Sequence, residues 1–484
     1  MSSLEELKET RLKKLELLKK AGVNPYPSKV PRTFCFFDAK ENFSEYEKKE
    51  KEVSLAGRIM AIRGQGAILF IVLYDGKGKF QAVFKKDEID EKLFKLFIDA
   101  VDIGDFISVT GKFFITQRGE QSILVKSWMM ASKSLLPLPE KWHGLQDLEE
   151  RYRHRYLDIL MNPEIKELFY KKTKFWKVTR DFLIEKGFLE VETPTLEVTT
   201  GGAEARPFKT YHNDYDMDVY LRISVGEFWQ KRLMAAGFQK TFEIGRVYRN
   251  EGSSPEHLQE FTNIELYWAY ADYEDGMKLT QDLYRTIAKE VFGTSKFTTR
   301  GYSFDLNDEW ARIDYVEEIK KQTGVDVLTA IEEEIKTTLK KLKVKYDGEN
   351  KERLTDTLWK YCRKNISGPA FLINHPTIVG PLAKSVERKN IVQMFQPIIA
   401  GSEMGRGYSE LNDPIDQAKR FEIQKKLIAA GDEEAMMPDY EFVEMLEYAM
   451  PPTCGFGFGE RLFAFLADKP LRETQLFPLL RPKK

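Results

Sequence analysis

Residues 53–133 differ from the rest of the chain in their pattern of hydrophobic residues. Short apolar runs at 69–73, 80–84, 106–109 and 122–125 are rich in β-branched and aromatic side chains, and Gly, Asp and Lys residues separate them. Runs of this length bounded by turn residues are typical of β-strands. About five such strands in so short a stretch predict a small closed β-barrel of the OB type.

The segments on either side have a different character. Leucines at 4, 7, 12, 15 and 18 recur near helical spacing before Gly22 and Pro25, which predicts an amphipathic helix with a C-terminal stop. After residue 150, helical patterns alternate with strands that include adjacent antiparallel runs, which favours an α+β domain. We therefore predict an α+β protein with a helical arm at 1–50, the barrel at 51–135, a linker at 136–150 and a second domain at 151–484. A helical insertion is expected in that domain at about 316–364.

Charge and composition restrict the class of protein. Hydrophobic residues make up 42% of the 484 and charged residues 31%, which excludes a disordered, fibrous or membrane-spanning chain. The formal net charge of −1 gives no overall basic field for a nucleic acid. This neutrality hides an asymmetry: residues 1–140 contain 24 Lys and Arg against 20 Asp and Glu, and the remainder contains 51 against 56.

The cysteines and the N-terminus predict a cytoplasmic protein with no membrane partner. Cys35, Cys362 and Cys454 are far apart and form no CxxC pair, which fits a reducing compartment. The first 20 residues carry repeated Lys and Glu without the apolar core of a signal peptide. The five histidines lack the spacing of zinc ligands, so a structural zinc site is not expected.

A predicted hairpin at 242–267 concentrates chemically active side chains. Strand alternation places Glu243, Arg249 and Glu251 on one face, and it places Phe261, Glu265 and Tyr267 together on the partner strand. Such a face suits a phosphate, a purine ring and a cationic group. A solvated sheet face with cross-strand ion pairs explains the same pattern equally well.

Two further clusters are rich in glycine. Residues 403–413 combine acids, glycines and Arg406, which suits a metal–phosphate site or, as the better reading of this segment alone, a bulged strand. Residues 455–461 alternate glycines and end in Glu460 and Arg461, so that the backbone can approach a ligand closely and the arginine can meet a phosphate. They lack the closing Gly-Lys-Ser/Thr of a P-loop, which argues against a Walker-type site.

Taken together, these segments resemble a known family. Residues 188–194, 242–267 and 455–461 resemble motifs 1, 2 and 3 of class II aminoacyl-tRNA synthetases, in the same order and spacing. Within that class, residues 142–147, 201–208, 408–413 and 476–482 are similar to lysyl-tRNA synthetases. The resemblance implies that the barrel binds the anticodon, that residues 151–484 form a catalytic domain on an antiparallel sheet, and that the chain is a homodimer with Pro194 at the interface.

The resemblance also implies an ATP site. By position, Arg249 would hold the α-phosphate and Arg461 the γ-phosphate, and both would be catalytic. Glu251 would read the adenine amino group, Phe261 would stack on the base, and Glu403 and Glu410 would bind Mg²⁺. His257 would contact the phosphates, with a mobile loop histidine as the alternative.

A lysine pocket and an anticodon site follow from the same resemblance. The lysine-binding residues would be Gly202, Glu227, Arg249, Glu265, Tyr267, Tyr408 and Glu410. Carboxylates and aromatic rings suit an ammonium group and disfavour aspartate. In the barrel, Arg63, Phe70 and Gln81 would hold uridines of tRNA(Lys) by charge, stacking and hydrogen bonding. The alternative for Phe70 is an aromatic residue of the barrel core.

The sequence departs from the family pattern in the predicted catalytic domain. Arg406 replaces a common Asn and would repel lysine unless it turns toward phosphate or an acid. Gln396 stands where a magnesium-binding Glu is usual, and the motif 3 segment is one residue short. The resemblance implies an ATP- and Mg²⁺-dependent lysine–tRNA ligase. The alternatives are an aspartyl or asparaginyl ligase of the same subclass, or a catalytically weakened RNA-binding paralogue.

Overall fold

The computed structural model describes residues 3–64, 66–139, 145–252, 254–346, 348, 350–387, 389–431 and 435–483. Residues 142–144, which contribute to the family resemblance, and residues 140–144 of the predicted linker lie outside these ranges. The chain divides into two compact units, Met1–Pro163 and Glu164–Lys484. For comparison, the sequence places the start of the second domain at residue 151.

The N-terminal unit is built around a barrel. Its helices are α1 (Leu4–Lys20), α2 (Phe36–Glu41), α3 (Phe43–Lys48), α4 (Glu91–Ala100), α5 (Leu148–Arg153) and α6 (Arg155–Met161). Its strands are β1 (Glu52–Arg63), β2 (Ile68–Tyr74), β3 (Lys79–Lys85), β4 (Phe106–Ile115) and β5 (Gln121–Ser132). They close in the order β1-β2-β3-β5-β4, with only β3 and β5 parallel among these neighbours. The predicted barrel and the predicted N-terminal helix are confirmed.

Alternating residues of the strands fill the barrel. Along β1 and β2 the inward side chains, such as Leu55, Ile59, Ile71 and Leu73, are fully buried. Their outward neighbours remain accessible, as expected for strands with one buried face. The outer face of the barrel is therefore free to carry recognition residues.

The second unit is built around one large, mainly antiparallel sheet. Its helices are α7 (Pro163–Glu185), α8 (Glu227–Ala235), α9 (Tyr273–Ile287), α10 (Tyr315–Thr323), α11 (Glu332–Lys341), α12 (Lys351–Cys362), α13 (Pro414–Ala429), α14 (Tyr440–Glu447) and α15 (Arg461–Leu466). Its strands are β6 (Leu189–Glu190), β7 (Leu196–Glu197), β8 (Lys209–His212), β9 (Met217–Leu221), β10 (Lys240–Tyr248), β11 (Glu260–Ala269), β12 (Lys296–Thr299), β13 (Tyr302–Asp305), β14 (Ala311–Asp314), β15 (Ala370–Pro376), β16 (Ile391–Ile399), β17 (Ser402–Glu403), β18 (Arg406–Ser409) and β19 (Thr453–Gly459). The predicted α+β class is confirmed.

Strand order brings distant parts of the sequence together. The large sheet runs β14-β15-β16-β18-β19-β11-β10-β6, and β17 pairs with β16. Strand β19, near the C-terminus, thus lies between β18 and β11. The chain segments predicted to carry the chemistry, β10 with β11, β18 and β19, are consecutive neighbours in this sheet.

The predicted insertion forms three helices. Helices α10, α11 and α12 pack around an apolar cluster that includes Ile319, Ile335, Leu358 and Trp359, all buried. A 3₁₀ turn at Arg363–Asn365 follows α12. Among the described residues, no helix is long and apolar enough to cross a membrane.

Candidate functional site

Strand β19 presents glycine backbone without side chains to the space between two strands that carry functional side chains. Gly455 lies between Tyr267 and Tyr408, and Gly457 lies between Glu265 and Arg406. A Cβ at Gly455 would lie 2.1 Å from Glu410 Oε1, and a Cβ at Gly457 would lie 2.9 Å from Glu265 Cγ. Larger residues would therefore collide with the flanking side chains. The glycines leave a cavity of about 330 Å³ above the sheet.

All the residues that the sequence assigns to ATP, lysine or metal binding line this one cavity. They are Gly202, Glu227, Arg249, Glu251, His257, Phe261, Glu265, Tyr267, Glu403, Tyr408, Glu410 and Arg461. Glu265, Tyr267 and Glu410 are buried, so the alternative of a solvated sheet face is wrong.

The predicted strand face needs one correction. Strand β10 ends at Tyr248, so Arg249 and Glu251 reach the cavity from the loop that follows the strand. Glu243 is absent from the cavity lining and pairs with Arg222 at 2.6 Å. Its other oxygen accepts hydrogen bonds from the backbone and hydroxyl of Thr193, in the motif 1 segment. Glu243 thus has a structural role, because it links strand β10 to Arg222 and to the motif 1 segment.

One end of the cavity is strongly acidic, and two of its acids bind a lysine outside the cavity lining that sequence analysis missed. Lys231 Nζ lies 2.6 Å from Glu227 Oε1 and 2.6 Å from Glu410 Oε2, and all three side chains are buried. The Tyr408 hydroxyl donates a 2.5 Å hydrogen bond to Glu227. Four rings, those of Phe228, Tyr267, Tyr408 and Phe442, surround the ammonium at 5.5–6.0 Å from their centroids. The available signal was the i, i+4 spacing of Glu227 and Lys231 on a helix.

The acidic end is short of positive charge. Burial, followed by repulsion from Glu227, raises the pKa of Glu265 to about 8. Burial also raises the pKa of Glu410 to about 8, although Lys231 opposes the shift. The pKa of Lys231 is raised, because Glu227 and Glu410 outweigh the opposing effect of its burial. A further cation is therefore favoured here, since the one ammonium pairs with Glu227 and Glu410 and leaves Glu265 without an ion-pair partner among the described residues.

The other end of the cavity is rich in arginine. The Arg249 guanidinium carbon lies 5.4 Å from the centroid of the Phe261 ring, and Nε donates to the Ile223 carbonyl at 3.3 Å. Arg461 donates to the backbone carbonyl of Glu403 and reaches Glu256 at 3.9 Å. Burial lowers the pKa of both arginines. Half-buried guanidinium groups that line an open cavity are suited to a polyanion.

His257 belongs to this basic end. Its Nδ1 and the Ser254 hydroxyl are 2.8 Å apart, and the ring lines the cavity. Burial, and then the charge of Arg461, lowers the pKa of His257. A local hydrogen bond thus orients the ring at the cavity wall, and its contact with the phosphates stays a prediction beside the alternative of a mobile loop histidine.

The two predicted metal ligands do not form a chelating pair. Glu403 Oε1 accepts from Trp359 Nε1 at 2.7 Å, and Oε2 accepts from Arg363 at 2.8 Å. Glu410 is in the ion pair with Lys231. Within the described ranges, no group of three or more His, Cys, Asp and Glu side chains is arranged to hold a metal. The residues present therefore do not fit a Mg²⁺ ion bound by Glu403 and Glu410, and sequence analysis missed the restraint that the helical insertion places on Glu403.

The predicted anticodon residues lie on the outside of the barrel. Arg63 on β1 is directly opposite Phe70 on β2. Gln81 on β3 is opposite Val72 and donates to the Ser122 hydroxyl at 2.8 Å. Phe70 is 36% exposed, whereas its chain neighbours at 69 and 71 are buried. The alternative that Phe70 belongs to the barrel core is wrong.

Comparison with known proteins agrees with both halves of this description. Residues 147–481 match the family of class II tRNA synthetases (D, K and N), and residues 53–131 match the OB-fold nucleic acid binding domain. A lysine–tRNA ligase of Thermotoga maritima is 42% identical over 488 residues, which cover 99% of this chain and 97% of the relative. A lysine–tRNA ligase of Carboxydothermus hydrogenoformans is 43% identical over 487 residues, which cover 99% of each chain.

Replacing Lys231 tests the charge balance at the acidic end. We expect Lys231→Met to lower the free energy of unfolding by about 3–5 kcal/mol near pH 8, because it leaves buried carboxylates without a counter-ion. The loss should shrink toward pH 5, since the carboxyl groups of the variant, whose folded-state pKa values rise further, then bind protons at little cost. Urea denaturation at both pH values measures the effect.

Lys177→Met is the matched control, because Lys177 forms an exposed i, i+4 pair with Asp181. It should leave the unfolding midpoint unchanged at both pH values. An equal loss for Lys231→Met at pH 5 and pH 8 would show that lost packing, and not charge, explains the effect.

Proposed function

Because this chain belongs to the lysine–tRNA ligases of the class II tRNA synthetase family, we propose that it activates lysine with ATP and transfers it to tRNA(Lys). The observation that carries the proposal is the acidic end of the cavity, where Lys231 pairs with Glu227 and Glu410 and Glu265 has no ion-pair partner among the described residues. Lysine brings two ammonium groups and one carboxylate. Such a ligand supplies the positive charge that this end of the site lacks.

In the proposed first step, a lysine carboxylate oxygen attacks the α-phosphorus of ATP. A bond to phosphorus forms, the bond to the bridging oxygen breaks, and pyrophosphate leaves with lysyl-adenylate as the other product. Arg249 is proposed to hold the α-phosphate and Arg461 the γ-phosphate. A guanidinium stabilises the charge that builds on the phosphate oxygens in the transition state.

The proposal places adenine beside Phe261 and Glu251, and His257 beside the phosphates. The neighbours of these residues support this order, because Phe261 lies against the Arg249 guanidinium, the charge of Glu251 acts on Arg249, and the charge of Arg461 acts on His257. Glu403 and Glu410, the expected ligands of Mg²⁺, do not form a chelating pair, and no step of the proposal depends on a metal bound by them.

At the acidic end, Glu410 and Glu227 are proposed to receive the ε-ammonium, and Glu265 the α-ammonium. Tyr267 and Tyr408 form the aromatic wall, and Gly202 keeps the backbone close to the amino acid. A Cβ at Gly202 would lie 2.7 Å from Glu227 Oε2 and would narrow this end of the cavity. In the second step, the terminal ribose hydroxyl of the tRNA attacks the activated carbonyl, and AMP leaves. Positioning supplies most of the rate of such a step.

An exchange assay separates lysine from its competitors. ATP–pyrophosphate exchange should depend on lysine and not on aspartate or asparagine. We expect Glu410→Gln to raise the KM for lysine by about 30-fold or more, because an ammonium loses a buried ionic partner. The KM for ATP should stay nearly unchanged.

The possible outcomes distinguish the alternatives. Stronger exchange with aspartate or asparagine would assign the chain to a neighbouring specificity of the subclass. A wild-type chain that binds tRNA but catalyses no exchange with any amino acid would support the weakened paralogue. An equal rise in both KM values for Glu410→Gln would contradict its assignment to the lysine pocket.

The barrel is proposed to bind the anticodon through Arg63, Phe70 and Gln81. We expect Phe70→Ala to raise the KM for tRNA in aminoacylation by about 5- to 150-fold, since stacking of one base is worth about 1–3 kcal/mol. ATP–pyrophosphate exchange should not change. Met129→Ala, at an exposed apolar residue on β5, is the control. An equal effect of both substitutions on the KM for tRNA would refute the assignment of Phe70.

A homodimer through the motif 1 segment is also proposed, in a cytosol that keeps the free cysteines reduced. Just C-terminal to this segment, which covers residues 188–194, Leu196 (49%) and Val198 (63%) are exposed. Exposed apolar groups that lie close together are typical of a subunit interface. We expect the double variant Leu196→Glu and Val198→Glu to sediment as a monomer and the wild type as a dimer. Ile115→Glu, on the barrel, should remain dimeric, and a dimeric double variant would place the interface elsewhere.

A further inference from the structure

Arg406 lies on the cavity floor between the acidic and basic ends. It pairs with Gly457 on β19, level with Glu265 on the far side of that strand. The register of Met394 with Tyr408 places Gln396 of β16 level with Arg406. Both residues line the cavity, and the Arg406 side chain is accessible within it. Arg406 therefore has a neutral amide on one flank and an empty glycine position on the other.

The charges around Arg406 direct it toward the basic end. Desolvation in the cavity opposes the charged form of Arg406, but its pKa is raised because the nearby charges of Glu204 and Glu403 favour the guanidinium. Glu403 is already hydrogen-bonded to Arg363 and Trp359. Across the described part of the chain, Arg406 has no carboxylate within 4.0 Å, whereas Lys231 has two. Among the described residues, Arg406 thus has no direct ion-pair partner, whereas Glu227 and Glu410 already pair with Lys231.

A triphosphate needs more positive charge than two arginines provide. Arg249 and Arg461 line the same cavity as Arg406, and Arg406 lies close enough to Arg249 to add to the lowering of its pKa, which burial dominates. Gln396 is a neutral amide and adds no charge to the site. Its amide oxygen accepts a hydrogen bond from His375 Nε2 at 2.8 Å, in the tautomer that carries the proton on that nitrogen. Of the carboxylates that would hold a metal here, Glu403 is hydrogen-bonded to Trp359 and Arg363, and another is replaced by the amide of Gln396.

We propose that Arg406 binds the phosphates of ATP and supplies charge neutralisation that a metal held by Glu403 would otherwise provide. This inference rests on the proposed function for the identity of the nucleotide. A planar guanidinium can hold two phosphate oxygens at once. Glu403, with both oxygens engaged, positions Arg363 and lies near Arg406 instead of chelating an ion.

Direct binding measurements test the role of Arg406 without requiring turnover. The full-length chain is titrated by calorimetry with a non-hydrolysable ATP analogue, with adenosine and with lysine, each in excess Mg²⁺ and in EDTA. For Arg406→Gln we expect the analogue to bind about 10- to 150-fold more weakly, as for the loss of a charge-assisted hydrogen bond. The loss should be larger in EDTA. Adenosine and lysine should bind as they do to the wild type.

Gln396→Glu provides the matched charge change on the neighbouring strand. The new carboxylate should neutralise Arg406, weaken binding of the analogue in EDTA, and allow excess Mg²⁺ to restore it. An altered affinity for lysine with unchanged affinity for the analogue in Arg406→Gln would show that Arg406 faces the amino acid and would overturn the proposal. Equal weakening of adenosine would do the same by revealing a distorted site.

The failure of this inference is distinguishable from failure of the proposed function. A wild-type chain that binds the analogue through Arg406 but shows no lysine-dependent exchange would refute only the assigned reaction. Lysine-dependent exchange in the wild type, together with analogue binding that Arg406→Gln does not change, would refute only the role of Arg406.

Discussion

The buried ion pairs of Lys231 with Glu227 and Glu410 are the interaction on which the site depends. Removing charged groups from water is costly, and a buried carboxylate is tolerated only when cations or hydrogen bonds compensate it. Here one ammonium serves Glu227 and Glu410 at 2.6 Å each, while Glu265 relies on hydrogen bonds from the Val225 backbone and the Tyr267 hydroxyl. The fold therefore keeps a charge deficit that a second cation can fill. A ligand with two ammonium groups matches that deficit, and a dicarboxylic amino acid increases it.

The order of strands gives the cavity an acidic end and a basic end. Strand β19 carries glycines at 455, 457 and 459, so the side chains of β11 and β18 face each other across an open floor. Acids gather at the Gly455 side and arginines reach the Gly459 side from the loop after β10 and from α15. An amino acid and a nucleotide can then meet between them. The near-neutral net charge of the whole chain does not reveal this arrangement, because acids at one end of the cavity and arginines at the other cancel in the sum.

Sequence patterns predicted much of this molecule, and the misses share a cause. The barrel, the first helix and the α+β class follow from local periodicity, which is a short-range signal. The cavity residues were assigned through the resemblance to class II synthetases, because the runs of glycines, acids and arginines near residues 249, 410 and 461 do not by themselves distinguish a ligand site from an ordinary sheet face or a bulged strand. Lys231, Trp359 and Arg363 were missed, since their roles depend on contacts between segments far apart in the chain. The alternation of side chains also led us to extend β10 beyond Tyr248, because alternation does not show where a strand ends. The loop that follows is closed by a hydrogen bond between Ser254 and His257.

The central claim is that the acidic end of the cavity exists to bind the ammonium groups of lysine. Calorimetric titration of the wild-type chain with lysine at pH 7, in buffers with different ionisation enthalpies, tests it most directly. Burial raises the pKa of Glu265, which has no ion-pair partner among the described residues, so this carboxyl group retains a proton to a higher pH than an exposed glutamate does. Binding of a cation lowers that pKa, so the account predicts that lysine binds and that protons are released to the buffer. Lysine binding without proton release, or tighter binding of aspartate, would contradict it.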